Sequence, residues 1–152
     1  MADIAFRRAM RADIPAIVAM LADDPLGATR EDLSTPGAPA YQDAFSAIDA
    51  DPNQFLAVMT LDGTVVGTLQ LTFIAGLSRK GALRGQIEAV RVAAGNRGAG
   101  LGQHLFEWAI AECRARGCRT VQLTTDKSRA DAHRFYDRLG FEASHIGYKL
   151  TL

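Results

Sequence analysis

Val90-Arg91-Val92-Ala93-Ala94-Gly95-Asn96-Arg97-Gly98-Ala99-Gly100-Leu101-Gly102 reads as the end of a strand, a glycine-rich turn and the first turn of a long helix. A helix start carries backbone N–H groups with no partner inside the helix, plus the positive end of the helix dipole. Glycines there let a ligand's oxygens approach the main chain, so the stretch is an anion cradle suited to a phosphate or pyrophosphate. Two familiar phosphate patterns fail. Gly95 and Gly100 have the P-loop separation, but Leu101 and Gly102 stand where lysine and a hydroxyl residue belong. Gly98 and Gly100 open a dinucleotide fingerprint, but its third glycine would fall at Gln103.

A third pattern, Arg/Gln-x-x-Gly-x-Gly/Ala, is met at every fixed position by Arg97-Gly98-Ala99-Gly100-Leu101-Gly102. Downstream stands Asp131-Ala132-His133-Arg134-Phe135-Tyr136-Asp137-Arg138-Leu139-Gly140-Phe141, a short helix with a tyrosine, ended by Leu-Gly-Phe. Both stretches, in this order and at this distance, resemble the GNAT family of N-acetyltransferases, strongly over residues 54–150 and weakly before them. The resemblance implies one N-acetyltransferase domain over residues 1–152. Its fold would be mixed α/β (α+β), a mostly antiparallel sheet whose central strands splay apart, flanked by helices. It implies acetyl-coenzyme A (acetyl-CoA) as cosubstrate and a homodimer. The C-terminal part, with Phe135-Tyr136, Ser144-His145 and Lys149-Leu150, resembles the aminoalkylphosphonate N-acetyltransferase subgroup, which implies a small amine acceptor, with or without an anionic group.

The elements read in the order β-α-α-β-β-β-α-β-α-β. Ala5–Ala9 is a strand. Asp13 can cap a helix in which Ile14, Ile17, Val18 and Leu21 recur at helical spacing. Residues 23–40, with their prolines and glycines, form a loop, and Ala40–Asp49 is helical. Phe55–Thr60 and Val65–Phe73 are strands joined by the turn Leu61-Asp62-Gly63-Thr64. After a turn at Gly76–Gly81 come strand Leu83–Val92, helix Gly100–Arg116, strand Thr120–Thr125, helix Ala130–Leu139 and a closing strand, Phe141–Leu150.

Seventeen basic and seventeen acidic side chains cancel, which leaves no electrostatic footprint for nucleic acid or an anionic membrane. No apolar run approaches the ~20 residues of a membrane span, and Met1-Ala2-Asp3-Ile4 shows no signal-peptide pattern. Cys113 and Cys118 do not form Cys-x-x-Cys and read as reduced thiols of a cytoplasmic protein. His104, His133 and His145 lack metal-ligand spacing, so no metal is expected.

Acetyl transfer from a thioester to an amine requires the thioester to be held, its carbonyl polarised, the amine deprotonated and the leaving thiolate protonated. By the resemblance, Arg97, Gly98, Ala99, Gly100, Leu101, Gly102 and Gln103 hold the pyrophosphate. The pantetheine arm pairs along Val90, Arg91 and Val92, and the amide of Val90 or Val92, with Val92 the first choice, faces the thioester carbonyl. Arg129 stands where many members carry a cofactor-contacting asparagine, so it or Lys127 is a candidate for a coenzyme A phosphate; the plain alternative, and the first choice, is a solvated charge run ahead of a helix.

Glu88 is the candidate base. Strand alternation would put it on the face of Val90 and Val92. An alkylamine of pKa about 10.4 is almost wholly charged near neutrality, and a carboxylate of pKa about 4.3 is a weak base for it. The chemistry therefore calls for a raised pKa, a bridging water, or both. The plain structural alternative is a solvated or salt-bridged strand carboxylate, for example one paired with Arg91 or Arg84. Tyr136 is the candidate acid for the thiolate, matching the family's tyrosine; the plain alternative is a half-buried aromatic. The first helices and their loop, with Asp23, Asp24, Arg30, Glu31, Asp32 and Tyr41, would wall the acceptor site. Two other functions fit the same motifs: a protein lysine or N-terminal acetyltransferase, and a non-catalytic acyl-CoA-binding sensor.

Overall fold

A computed structural model describes residues 2–35 and 37–152. Met1 and Pro36, the latter read as part of the 23–40 loop, lie outside the described residues. The chain divides into two units, Met1–Gln122 and Leu123–Leu152.

The first unit is a five-stranded sheet in the order β1-β2-β3-β4-β5. The strands are β1 (Ile4–Arg8), β2 (Gln54–Leu61), β3 (Thr64–Ile74), β4 (Arg84–Val92) and β5 (Thr120–Gln122). The first four pair antiparallel in sequence, and β5 joins β4 in parallel. Asp62 (φ 48) and Gly63 (φ 83) make the two-residue β2–β3 turn, the left-handed pair that a tight hairpin requires. A second left-handed turn, over Ser78–Gly81, leads into β4.

Alternation divides the sheet into two faces. Phe6, Phe55, Met59, Leu71 and Ile87 share one. Helix α3 (Leu101–Ala115) packs there, and Leu105, Phe106, Ala109 and Cys113 on it are buried. Trp108 stacks on Phe6 and meets Phe55 edge-on, each at 5.2 Å. Gly85 and Gly67 permit this approach: a Cβ on Gly85 would stand 2.4 Å from Cys113 Sγ, and one on Gly67 would stand 3.1 Å from Leu105. The opposite face carries α1 (Ile14–Ala22) and α2 (Pro39–Ala50). Their apolar stripe, Ile14, Ile17, Val18 and Phe45, closes with Val58 of β2 into a buried cluster. Asp13 does not cap the first amides of α1 with its side chain. Instead it reaches back, accepting the Met10 N–H at 2.7 Å and an ion pair from Arg7.

The second unit contains α4 (Ala130–Arg138). Asp126 Oδ1 accepts the Ser128 N–H at 3.0 Å ahead of the helix. At its end Gly140 is left-handed, φ 92. Gly140 N–H donates to Asp137 O and Phe141 N–H to Tyr136 O, each at 3.1 Å. This is a Schellman ending, and it explains Leu-Gly-Phe: glycine at the reversal, phenylalanine folded back.

The sequence predicts a closing strand over Phe141–Leu150, but the described residues there form no strand, and Ile146, Tyr148 and Leu150 are 73%, 91% and 86% exposed. The apolar alternation is present without the ladder that a strand needs. Likewise β5 stops at Gln122, short of the expected Thr125.

Candidate active site

The β4–β5 pairing ends at Gln86↔Gln122, while β4 runs on to Val92. Ile87–Val92 thus keeps an edge with no β5 partner, as required of a strand that admits an extended ligand. Inside this stretch lies a β-bulge. Gln70 pairs with Glu88 and Thr68 with Arg91, so Leu69 alone faces Ala89 and Val90, and Ala89 is left-handed at φ 53. The extra residue reverses the alternation. Glu88 therefore shares a face with Arg91, not with Val90 and Val92 as strand alternation predicts. Val90 and Val92 point to the α3 side.

Beyond β4, Gly98 (φ 84) and Gly100 (φ 75) turn the chain into α3. The first α3 hydrogen bond from this turn is His104 N–H to Gly100 O at 3.4 Å, and the amides of Gly98, Ala99, Gly100, Leu101, Gly102 and Gln103 donate to no acceptor among the described residues. A Cβ built on Gly98 or Gly100 meets nothing within 4 Å. The cradle is open and its donors are aligned with the helix dipole, which fits a diphosphate. The Gln103 side chain turns away to Glu107 Oε1 at 2.8 Å.

Ion pairs tie this turn to the end of α1. Arg97 donates to Asp23 O (3.0 Å), Asp23 Oδ2 (3.1 Å) and Val92 O (3.2 Å). Arg91 pairs with Asp24 Oδ2 at 2.9 Å, and Asp24 Oδ1 accepts the Gly27 N–H at 2.6 Å. The two pairs differ in kind. Asp23 and Arg97 are about half exposed, so their pair is worth ~0–1 kcal/mol. Asp24 and Arg91 are 15% and 19% exposed and form a fixed clamp. Sequence reading placed Asp23 and Asp24 in an acceptor wall and missed this clamping role, because both partners lie far away in sequence. A cavity of about 420 Å³ opens beside the turn, lined by Ala19, Met20, Asp23, Leu33, Ala93 and Ala94 among others.

Glu88 is exposed, and Thr72 Oγ1 donates to its Oε1 at 3.4 Å. It pairs with neither Arg91 nor Arg84, so of the plain alternatives the salt bridge is absent, while its exposure agrees with a solvated carboxylate. Glu88 belongs to a polar ribbon. The single hydroxyl hydrogen of Thr72 is shared between Glu88 and the nearer Gln54 Oε1 (3.0 Å), Gln70 donates to the same Gln54 atom (2.9 Å), Gln122 donates to Gln86 Oε1 (3.0 Å) and Arg84 to Gln122 Oε1 (3.2 Å). The pattern Arg84-x-Gln86-x-Glu88 was a readable signal of this ribbon, and sequence reasoning passed over Gln86.

In the second unit Tyr136 is half-buried between the rings of Phe135 (5.8 Å) and Phe141 (6.2 Å). Arg129 is the N-cap residue of α4; its N–H donates to Asp126 O at 3.1 Å. Both cysteines are free thiols, and burial, reinforced by the neighbouring Cys118, pushes Cys113 up to about 12. It is a packing residue, not a nucleophile.

The chain matches the profile of the Acetyltransferase (GNAT) family over residues 18–141. It belongs to that family. Aminoalkylphosphonate N-acetyltransferase of Salmonella typhimurium is 34% identical over 113 residues, 74% of this chain and 73% of that one. Glucosamine 6-phosphate N-acetyltransferase of Trypanosoma brucei brucei is 34% identical over 90 residues, 59% of each chain. The crystal structure of a transcriptional regulator from Bacillus halodurans C-125 superposes with a TM-score of 0.94 at 44% identity, covering 99% of this chain and 100% of that one. The GNAT protein is an acetyl-CoA-dependent N-acetyltransferase with a mixed sheet flanked by helices. No helix among its described residues is long and apolar enough to cross a membrane.

Proposed function

We propose that this GNAT protein, as one domain over residues 1–152, moves an acetyl group from acetyl-CoA to the primary amine of a small molecule by direct attack in a ternary complex. The observation that carries the reading is the open row of amides from Gly98 to Gln103 beside the unpaired edge Ile87–Val92. The amides and Arg97 take the diphosphate, the edge of Val90, Arg91 and Val92 takes the pantetheine arm, and the amide of Val90 or Val92 polarises the thioester carbonyl. The bulge at Ala89–Val90 favours Val90, because it re-aims the backbone there. Arg129 contributes to a coenzyme A phosphate.

Glu88 takes the amine's proton. Its exposure gives this transfer a water-relayed form. Tyr136 donates to the departing thiolate; a phenol of pKa about 10 suffices when donation is concerted with C–S cleavage. The small-molecule acceptor is supported by the two relatives named for small amines. The relative named a transcriptional regulator favours a second reading, an acyl-CoA-binding regulatory module. Retention of Glu88 and Tyr136 speaks for turnover.

An acetyl-CoA-dependent thiol-release screen over amines, aminophosphonates, amino acids and peptides separates these. Thiol release with small amines is expected; acetyl-CoA binding without release supports the regulatory module, and release only with peptides supports a protein acetyltransferase. Free thiols agree with a cytoplasmic setting. We also propose a homodimer that covers the exposed Ile146, Tyr148, Leu150 and Leu152. Sedimentation at micromolar concentration should give twice the chain mass; the mass of one chain would refute it.

A further inference from the structure

The Arg91 side chain joins the bulge of β4 to the corner that follows α1. Its Nη1 donates to Val90 O at 2.8 Å, and its Nη2 pairs with Asp24 Oδ2 at 2.9 Å. One planar fork thus spans a backbone carbonyl of the bulge and a carboxylate on another element. Asp24 is held in turn. Its Oδ1 accepts the Gly27 N–H at 2.6 Å, and its carbonyl oxygen accepts the Ala28 N–H at 2.9 Å. Gly27 is buried, and a Cβ on it would stand 1.9 Å from Leu21 O. The corner is therefore packed backbone on backbone, which makes it a firm anchor for Asp24.

The bulge needs such an anchor. Ala89 at φ 53 holds a conformation that is unfavourable for a residue with a Cβ. Leu69 alone faces Ala89 and Val90, so the β3 ladder does not pin both residues. On the other edge the β5 pairing has already ended at Gln86. Arg91 supplies the missing restraint. A peptide unit is planar, so a held Val90 carbonyl fixes the plane that follows Val90. The left-handed Ala89 sets the plane before it.

We infer that Asp24 and Arg91 are positioning residues for acyl transfer: they hold the backbone of Val90 so that its amide aims at the thioester carbonyl. This rests on the transferase reading and adds two side chains to it. In this role neither side chain touches the thioester or the amine; both act through the bulge. A donor aimed at a developing oxyanion is effective because it is in place beforehand, without reorganising as the charge appears. A misplacement of ~1 Å at such a site can cost ~10²-fold in rate.

Asp24→Asn and Arg91→Met each open the link. Asparagine keeps the size of Asp24 but sets an NH₂ group against a donor. For each, kcat with an accepted small amine should fall about 10–100-fold with KM for acetyl-CoA within about threefold, the mark of a contact made in the transition state. Arg91→Lys should recover part of the loss, because an ammonium still donates. The double variant should lose no more than the worse single one, since the two side chains act as a unit. Thermal melts show which variants fold; if Arg91→Met does not, Asp24→Asn and Arg91→Lys carry the test. A merely structural pair would lower Tm and leave kcat alone. Unchanged kcat, losses that multiply in the double variant, or a change confined to KM overturn the inference. Infrared spectra of bound acetyl-CoA, ¹³C-labelled at the thioester carbonyl, give a readout without turnover. The carbonyl band should lie below its free position in wild type, because an accepted hydrogen bond weakens C=O, and should return toward it in Asp24→Asn. If no amine is acetylated, the transferase reading fails, while a band lowered only with the pair intact still upholds the positioning role. The same band in both proteins, an unshifted band in wild type, or no binding of acetyl-CoA refutes it.

Discussion

Replacing Gly100 by valine tests the cradle directly. Gly100 caps α3 with φ 75, where an L side chain costs about 1–2 kcal/mol. A Cβ there meets nothing within 4 Å, so no clash is added. A domain of this size loses about 2–4 °C of Tm per kcal/mol, so the melting point should fall by roughly 2–8 °C and the fold survive. The ligand is affected far more. The valine side chain rises among the amides of Gly98–Gln103 and holds a phosphate away from them. A hydrogen bond to a charged group is worth about 1.5–3 kcal/mol. Losing two removes about 3–6 kcal/mol, or ~10²–10⁴ in Kd. Isothermal titration with coenzyme A measures the loss, and a thermal melt measures the strain. A Kd within threefold of wild type in a variant that shows the lowered Tm would refute diphosphate binding at this turn.

Other expectations follow from the same geometry. Glu88→Gln should depress kcat/KM by ~10²–10⁴, most severely at low pH where the amine is charged, with partial recovery as rising pH supplies neutral amine; Tyr136→Phe should lower turnover evenly over that range. An unchanged pH–rate profile in Glu88→Gln would remove Glu88 from the mechanism. The hydrogen bond and charge of Arg7 hold Asp13 below the usual carboxylate range. Its contribution is therefore complete above the unfolded value near pH 4 and is lost as pH falls through the lower folded value. Asp13→Asn should accordingly lower the urea midpoint at pH 7 and make little difference near pH 2. Gly85→Val, whose Cβ would stand 2.4 Å from Cys113 Sγ, should cost about 1–3 kcal/mol by urea unfolding, and Cys113→Ala in the same chain should recover part of it.

The sequence by itself determined whatever depends on a few consecutive residues. The Arg97–Gly102 cradle was legible because glycines at left-handed positions and a helix start are local properties. So were the Asp62-Gly63 hairpin and the Leu139-Gly140-Phe141 ending, where one positive φ sets the chain path. Only the tertiary structure decided what depends on a partner strand. Nothing in Glu88-Ala89-Val90-Arg91 announces the bulge, which exists because Leu69 faces two residues at once and moves Glu88 to the face of Arg91. The Asp24–Arg91 and Asp23–Arg97 pairs join segments far apart in sequence, so charge alone could not assign them. Phe141–Leu150 has the composition of a strand but no strand in the structure. A β ladder is a property of two segments, and one segment's side chains carry only half of its specification.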